Sequence, residues 1–158
     1  MKSLFSNQFN VIYDLDKHKL FWAIDKNNID LLNEMIIQEE NNVEFLTTKN
    51  VRGLTALHYA VTFCKFETLD FLLSKAGHSL INITDNRRNT LLHTAININN
   101  PRKVQALIDY KPNLKLKNHE ELTPIGLAKK IENLDRRIRC SLSVYIKEFK
   151  KTLRSNSL

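Results

Sequence analysis

The chain is poor in residues that interrupt or cross-link a backbone: it has three glycines, three prolines and two cysteines in 158 residues. So little glycine and proline excludes a collagen-like or proline-rich chain and favours one folded, helix-rich domain. Cys64 and Cys140 lie far apart and form no disulfide framework, which predicts a reducing, cytoplasmic compartment. No apolar run approaches the roughly 18 residues of a membrane span, and residues 1–7 lack the pattern of an export signal.

The sequence also lacks the motifs of common active sites. It has no H-E-x-x-H zinc motif, no G-x-S-x-G nucleophile elbow, no P-loop and no Rossmann glycine pattern. His58 and His93 occupy matching positions of a repeat, but packed helices lie about 8–10 Å apart, which discourages a shared zinc at about 2.1 Å from both rings. We therefore expect no enzyme activity, no catalytic residue, no metal and no cofactor.

A six-residue pattern does recur: TALHYA at residues 55–60, TLLHTA at 90–95 and TPIGLA at 123–128. Its threonines are 35 and 33 residues apart, and a fainter copy, LFWA, occupies residues 20–23. Apolar residues at helical spacing follow the copies at residues 20–23, 55–60 and 90–95. A repeat of about 33 residues carrying T-P-L-H-x-A is the ankyrin signature, so the chain resembles the ankyrin-repeat family over roughly residues 17–147.

The resemblance implies an all-α ankyrin solenoid of about four helix-turn-helix repeats, with finger turns and helical caps. As a single domain over 1–158 it would comprise an N-terminal capping helix at 1–16, repeat 1 with an insertion at 17–47, repeat 2 at 48–82, repeat 3 at 83–116, repeat 4 with a C-terminal capping helix at 117–153, and a tail at 154–158. Because both ends are predicted to be capped, we expect a monomer.

Local chemistry agrees with most of this pattern. Gly53 suits the positive φ of a finger turn, and the threonine of each copy is placed to cap the following helix. In repeat 3, Arg88 stands where the glycine of the finger turn belongs, and Asn99 stands where the glycine between the two helices belongs. Because Asn tolerates left-handed backbone but Arg does so poorly, the turn of the third finger is the open point.

Three segments depart from the regular repeat. The insertion at 38–48 is expected to be a solvated loop with Phe45 and Leu46 against the stack, rather than an added contact surface. Trp22 is expected to be a packing aromatic rather than a binding hot spot. The helical spacing of apolar residues predicts two capping helices, with stripes formed by Leu4, Phe5, Phe9 and Ile12, and by Leu134, Ile138, Leu142, Tyr145, Phe149 and Leu153.

Positive charge is concentrated at the C-terminal end. Residues 129–158 contain nine Lys or Arg against three Asp or Glu, whereas the rest of the chain is nearly neutral. A basic patch of Arg136, Arg137 and Arg139 could attract an acidic protein, nucleic acid or an anionic membrane surface. Few aromatics and no nucleic-acid motif disfavour nucleic acid, and a solvated cap remains an alternative.

In the ankyrin family, partners usually dock on the concave side, formed by the finger tips and the exposed face of each first helix. We refer to the matching positions as the predicted groove residues. They are Arg52, Leu54, Thr62, Phe63, Arg87, Asn89, Asn97, Ile98, Tyr110, His119, Glu120, Leu122 and Lys130.

Aromatics and arginine in this set are typical of an interface core, although partial burial between fingers would also explain them. We expect a protein-binding adaptor or inhibitor in the cytoplasm. The size resembles that of viral inhibitor-like ankyrin proteins and bacterial effectors, which would act in the host cytosol or nucleus. The alternative is a protein that associates with a membrane surface or with nucleic acid through its basic C-terminal helix.

Overall fold

A computed structural model of the chain describes residues 17–38 and 42–155, which form nine helices in two compact units that meet between Ala76 and Gly77. The first unit contains α1 (residues 17–25), α2 (Ile29–Gln38), α3 (Asn42–Thr47), α4 (Ala56–Phe63) and α5 (Phe66–Ala76). The second contains α6 (Leu91–Asn97), α7 (Pro101–Asp109), α8 (Pro124–Lys130) and α9 (Arg136–Ser155). The all-α prediction is confirmed.

The recurring threonines begin the first helix of repeats 2, 3 and 4. Thr55, Thr90 and Thr123 are the N-caps of α4, α6 and α8, and each side-chain oxygen accepts a hydrogen bond from the backbone N–H three residues later. This bond satisfies one of the N–H groups that a helix leaves unpaired at its start. The predicted capping role is therefore confirmed in all three copies.

Each unit has its own apolar core, built from the residues that follow these caps. In the first unit, Leu57 of α4 and Leu69, Leu72 and Leu73 of α5 are completely buried. In the second unit the fully buried side chains include Leu91, Ile96, Val104, Leu107 and Ile138. Burial of these side chains at helical spacing is the main force that holds each helix pair together.

The first residue of each finger turn stabilises the turn through its own side chain. The Oδ1 atoms of Asn50, Asp85 and Asn118 each accept hydrogen bonds from the backbone N–H groups two and four residues later. Fingers 2 and 3 are further closed by isolated antiparallel bridges, between Lys49 and Thr55 and between Thr84 and Thr90. These turns fix which residues the fingers present.

The same position of every finger is left-handed, whatever residue it carries. The φ angle is 73° at Gly53, 58° at Arg88 and 57° at Glu121. The third finger thus keeps its turn although arginine disfavours this conformation, because the Asp85 carboxylate holds the N–H groups of Arg87 and Asn89 at 2.8 Å.

Asparagine takes the place of glycine between the two helices of repeats 1 and 3. Asn27 and Asn99 have φ of 52° and 53°. The Asn27 Oδ1 accepts from the Lys65 N–H at 2.7 Å, and the Asn99 Oδ1 accepts from the Asp135 N–H at 2.8 Å. In each case the turn residue of one repeat is hydrogen bonded to the repeat that follows, which a glycine could not do.

The insertion is not the loop that we expected. Residues 42–47 form the short helix α3, which contacts α2, α4 and α5, while Phe45 and Leu46 are buried as predicted. Two apolar side chains on adjacent positions favour a helical turn, because its geometry lets both reach the core.

Two further expectations were wrong in detail. Trp22 is 52% exposed and therefore is not a packing aromatic. Leu134 lies before α9 and not within it, since this helix begins at Arg136, and α9 continues to Ser155, into the predicted tail. The predicted N-terminal capping helix lies outside the described residues. None of the helices in the described ranges has both the length and the apolar character needed to cross a membrane.

Candidate protein-binding surface

In the first unit, α1 and α4 carry four aromatic side chains, of which Trp22 and Phe63 are exposed and Phe21 and Tyr59 are half-buried. We refer to Phe21, Trp22, Tyr59 and Phe63 as the aromatic surface. The rings of Tyr59 and Phe63 have centroids 4.7 Å apart, and Phe21 meets Tyr59 edge-on at 5.2 Å. Phe63 is 50% exposed and Trp22 is 52% exposed. Trp22 holds in repeat 1 the position that Tyr59 holds in repeat 2, so both belong to the same face of their repeats.

A carboxylate and a guanidinium flank this aromatic surface. The Tyr59 hydroxyl donates to the Asp25 carboxylate at 3.4 Å. Partial burial raises the pKa of Tyr59, and the Asp25 charge raises it further, whereas Arg52 acts in the opposite direction. The surface therefore combines exposed rings with polar groups of both signs at its edge.

The other predicted groove residues of the first unit divide into two kinds. Arg52 is exposed at the tip of the finger. Leu54 and Thr62 are half-buried, and the Thr62 hydroxyl donates to the carbonyl of His58 at 2.9 Å, within its own helix. Arg52 and Phe63 thus remain available to a partner, whereas the Thr62 hydroxyl is already engaged.

In the second unit, four predicted groove residues come together across fingers 3 and 4. The His119 N–H donates to the carbonyl of Arg87 at 3.0 Å, and the Lys130 ammonium contacts the Glu120 carboxylate at 2.8 Å. The hydrogen bond and charge of Lys130 lower the pKa of Glu120, with a smaller contribution from Arg87. All four residues are exposed.

The remaining predictions in this unit have mixed outcomes. Asn97 is exposed and Ile98 is half-buried. The Asn89 amide donates to the Asp85 carboxylate at 3.1 Å and accepts from the Asn118 amide at 3.0 Å, so its side chain links the fingers. Leu122 is half-buried. Tyr110 lies at the end of α7, where its ring and carbonyl contact His78.

The fingers are aligned by a buried imidazole. His93 is fully buried; its Nδ1 accepts from the hydroxyl and the backbone N–H of Thr90 at 2.8 and 3.1 Å, and its Nε2 is 2.9 Å from the Leu122 carbonyl. A carbonyl can only accept, so Nε2 carries a proton. A backbone N–H can only donate, so Nδ1 carries none, and the ring is neutral. His93 therefore has a structural role, and both of its ring nitrogens are engaged in hydrogen bonds.

The neutral state of His93 predicts how stability depends on pH. Burial lowers the pKa of His93 below its usual value of about 6.5. The unfolded chain therefore binds this proton at a higher pH than the folded chain, so the stabilisation is complete above about pH 6.5 and is lost as pH falls through the folded pKa. We expect wild type to lose more stability between pH 7.5 and 5.5, measured by urea unfolding, than His93→Leu; equal losses would contradict this assignment.

Two arginines of the basic patch are bonded to the turn that precedes α9. The Arg137 guanidinium binds the Asp135 carboxylate through two hydrogen bonds, at 3.1 and 2.8 Å, and these bonds lower the pKa of Asp135. Arg139 donates to the carbonyls of Ile131 and Glu132 at 3.3 and 2.8 Å. Arg137 and Arg139 thus stabilise the turn into α9, and all three arginines are exposed to solvent.

A cleft that the sequence did not predict lies between α7 and α9 in the second unit. It has a volume of about 870 Å³, and its apolar lining includes Ile108, Val144, Tyr145 and Phe149. Within the described ranges, no three His, Cys, Asp or Glu side chains are placed to hold a metal ion.

Helix pairs that begin at a capping threonine, preceded by finger turns with one left-handed residue, define a helical repeat protein. The chain belongs to the ankyrin-repeat family: the family model of ankyrin repeats (3 copies) matches residues 20–118. No curated protein matches the chain at a significant level. Ankyrin repeats are generally protein–protein interaction modules, and the family is typically non-catalytic.

Proposed function

We propose that this protein is a non-catalytic, cytoplasmic adaptor or inhibitor that binds a partner protein through the fingers and the first helices of its repeats. The observation that carries the proposal is the aromatic surface of the first unit. Binding hot spots are enriched in Trp, Tyr and Arg, and Trp22, Tyr59 and Arg52 are all in or beside this surface.

The geometry of the rings supports a role in binding. Phe63 is held against Tyr59, and Tyr59 is held against Phe21, so the rings are ordered before a partner arrives. Ordering a side chain on binding costs about 0.5–1.5 kcal/mol, and a preformed stack avoids much of this cost. Leaving Trp22 and Phe63 half exposed stabilises the free protein little, whereas covering them would favour a complex.

The test compares aromatic truncation with truncation of an equally apolar residue elsewhere. Partners would be captured from cytosol with wild type and identified by mass spectrometry, and the affinity of the purified partner would then be measured by calorimetry. We expect Trp22→Ala and Phe63→Ala each to weaken binding at least about tenfold, because each removes a central apolar anchor.

Ile37 provides the matched control, since it is 71% exposed but lies on α2, the second helix of repeat 1. Ile37→Ala should leave the affinity unchanged, and melting curves would establish that all three variants fold. If Ile37→Ala weakened binding as much as Phe63→Ala did, or if Trp22→Ala and Phe63→Ala had no effect, the aromatic surface would not be the binding site.

A further inference from the structure

The three complete fingers present different charges at the same two positions. These positions are the left-handed residue of the turn and the residue before it. They are Arg52 and Gly53 in finger 2, Arg87 and Arg88 in finger 3, and Glu120 and Glu121 in finger 4. Finger 3 therefore presents two adjacent guanidinium groups, and one of them is on a residue whose backbone conformation favours glycine.

The carboxylates of finger 4 form ion pairs within their own repeat, whereas, among the described residues, the guanidiniums of finger 3 do not. The Asp85 carboxylate of finger 3 is bonded to backbone N–H groups, and Arg87 acts on the paired Glu120 only by lowering its pKa at longer range. Glu120 pairs with Lys130 at 2.8 Å and Glu121 pairs with Lys117 at 3.2 Å. Within the described part of the chain, neither Arg87 nor Arg88 takes part in an ion pair, and both are exposed. The surrounding unit strengthens this positive character, since residues 77–158 contain sixteen Lys or Arg against seven Asp or Glu.

The conformation of Arg88 makes its side chain costly to keep. A left-handed φ of 58° places the Cβ of an L-residue close to the backbone, and glycine would avoid this strain. Glu121 has the same conformation in finger 4, with a φ of 57°, so the strain belongs to this finger position, and the pair of guanidiniums is what distinguishes finger 3.

We propose that finger 3 recognises a carboxylate-rich segment of the partner protein through Arg87 and Arg88, an inference that rests on the proposed function. A guanidinium can bind a carboxylate through two parallel hydrogen bonds, and two adjacent guanidiniums favour consecutive or closely spaced Asp and Glu. Finger 4, whose own Glu residues are already paired, would add no attraction for such a segment.

The decisive variant is Arg88→Gly, because it separates stability from binding. Removing the side chain relieves the backbone, so we expect the melting temperature to rise by about 1–4 °C, while affinity for an acidic segment falls about tenfold. Lys111→Gly is the matched control: Lys111 also has a left-handed φ, 54°, but lies at the end of α7. It should raise the melting temperature without weakening binding.

The probes are labelled peptides of equal length, followed by fluorescence anisotropy at low and high salt. One peptide is rich in Glu and Leu, the second has Gln in place of Glu, and the third has phosphoserine in place of Glu. We expect the Glu peptide to bind wild type at least about tenfold more tightly than the Gln peptide, with an advantage that salt reduces. Binding of the phosphoserine peptide without the Glu peptide would overturn the carboxylate assignment.

Two outcomes separate this inference from the proposed function. If Arg88→Gly raises the melting temperature but leaves Glu-peptide affinity unchanged, or if the Glu and Gln peptides bind equally or not at all, finger 3 does not recognise carboxylates. The proposed function would then still stand, provided that the partner captured from cytosol is lost with Phe63→Ala. If every variant still bound the partner and the Glu peptide as wild type does, both the proposed function and the role of finger 3 would be contradicted.

Discussion

We expect His93→Ala to lower the free energy of unfolding by about 3–4 kcal/mol. The substitution removes a completely buried side chain from α6 and leaves a cavity in its place. It also leaves the Leu122 carbonyl without the Nε2–H donor and the Thr90 N–H without its acceptor. Buried polar groups that lose their partners cost more than the net gain of the bonds they made, so the two effects add.

Urea unfolding followed by circular dichroism would measure this loss. His119→Ala is the control, because His119 is exposed on finger 4 and donates to the Arg87 carbonyl through its backbone N–H, which alanine keeps. That variant should stay within about 0.5 kcal/mol of wild type. A loss below about 1 kcal/mol for His93→Ala would mean that the imidazole does not align fingers 3 and 4.

Much of the fold could be predicted from the sequence because its signals are local. The threonine that begins a helix and the apolar residues that follow act within one repeat, so spacing alone identified α4, α6 and α8. The turn of finger 3 was harder to predict. The intrinsic preference of Arg88 argues against a left-handed turn, and the deciding contribution comes from the hydrogen bonds of Asp85, three residues earlier.

The candidate site was less predictable, because exposure depends on neighbouring repeats. The motif assigns Trp22 and Phe63 to positions on a first helix, but not how far other side chains cover them. Charge counts had a similar limit: they located a basic C-terminal end but not the local bonds of Arg137 and Arg139. The aspartate or asparagine five residues before each capping threonine was visible in the sequence, and it would have predicted the turn of finger 3, where the glycine is missing.

The insertion between repeats 1 and 2 yields the other large expected effect. Leu46 is completely buried on α3, and this helix contacts α4 and α5. Truncating a buried leucine removes its transfer free energy and leaves a cavity, so we expect Leu46→Ala to lower the free energy of unfolding by about 2–5 kcal/mol. A solvated loop would contribute far less, since its side chains would be hydrated in both the folded and the unfolded chain.

Urea unfolding of Leu46→Ala beside Ile37→Ala distinguishes a structural insertion from an added contact surface. Ile37 is a large apolar residue of the same unit but is 71% exposed, so its truncation should change stability by no more than about 0.5 kcal/mol. If Leu46→Ala were equally mild and instead weakened partner binding, α3 would be a docking element and not part of the core. If stability falls as expected and the partner still binds the folded fraction with unchanged affinity, the insertion extends the core between α2 and α4, and the binding surface lies on the fingers and first helices.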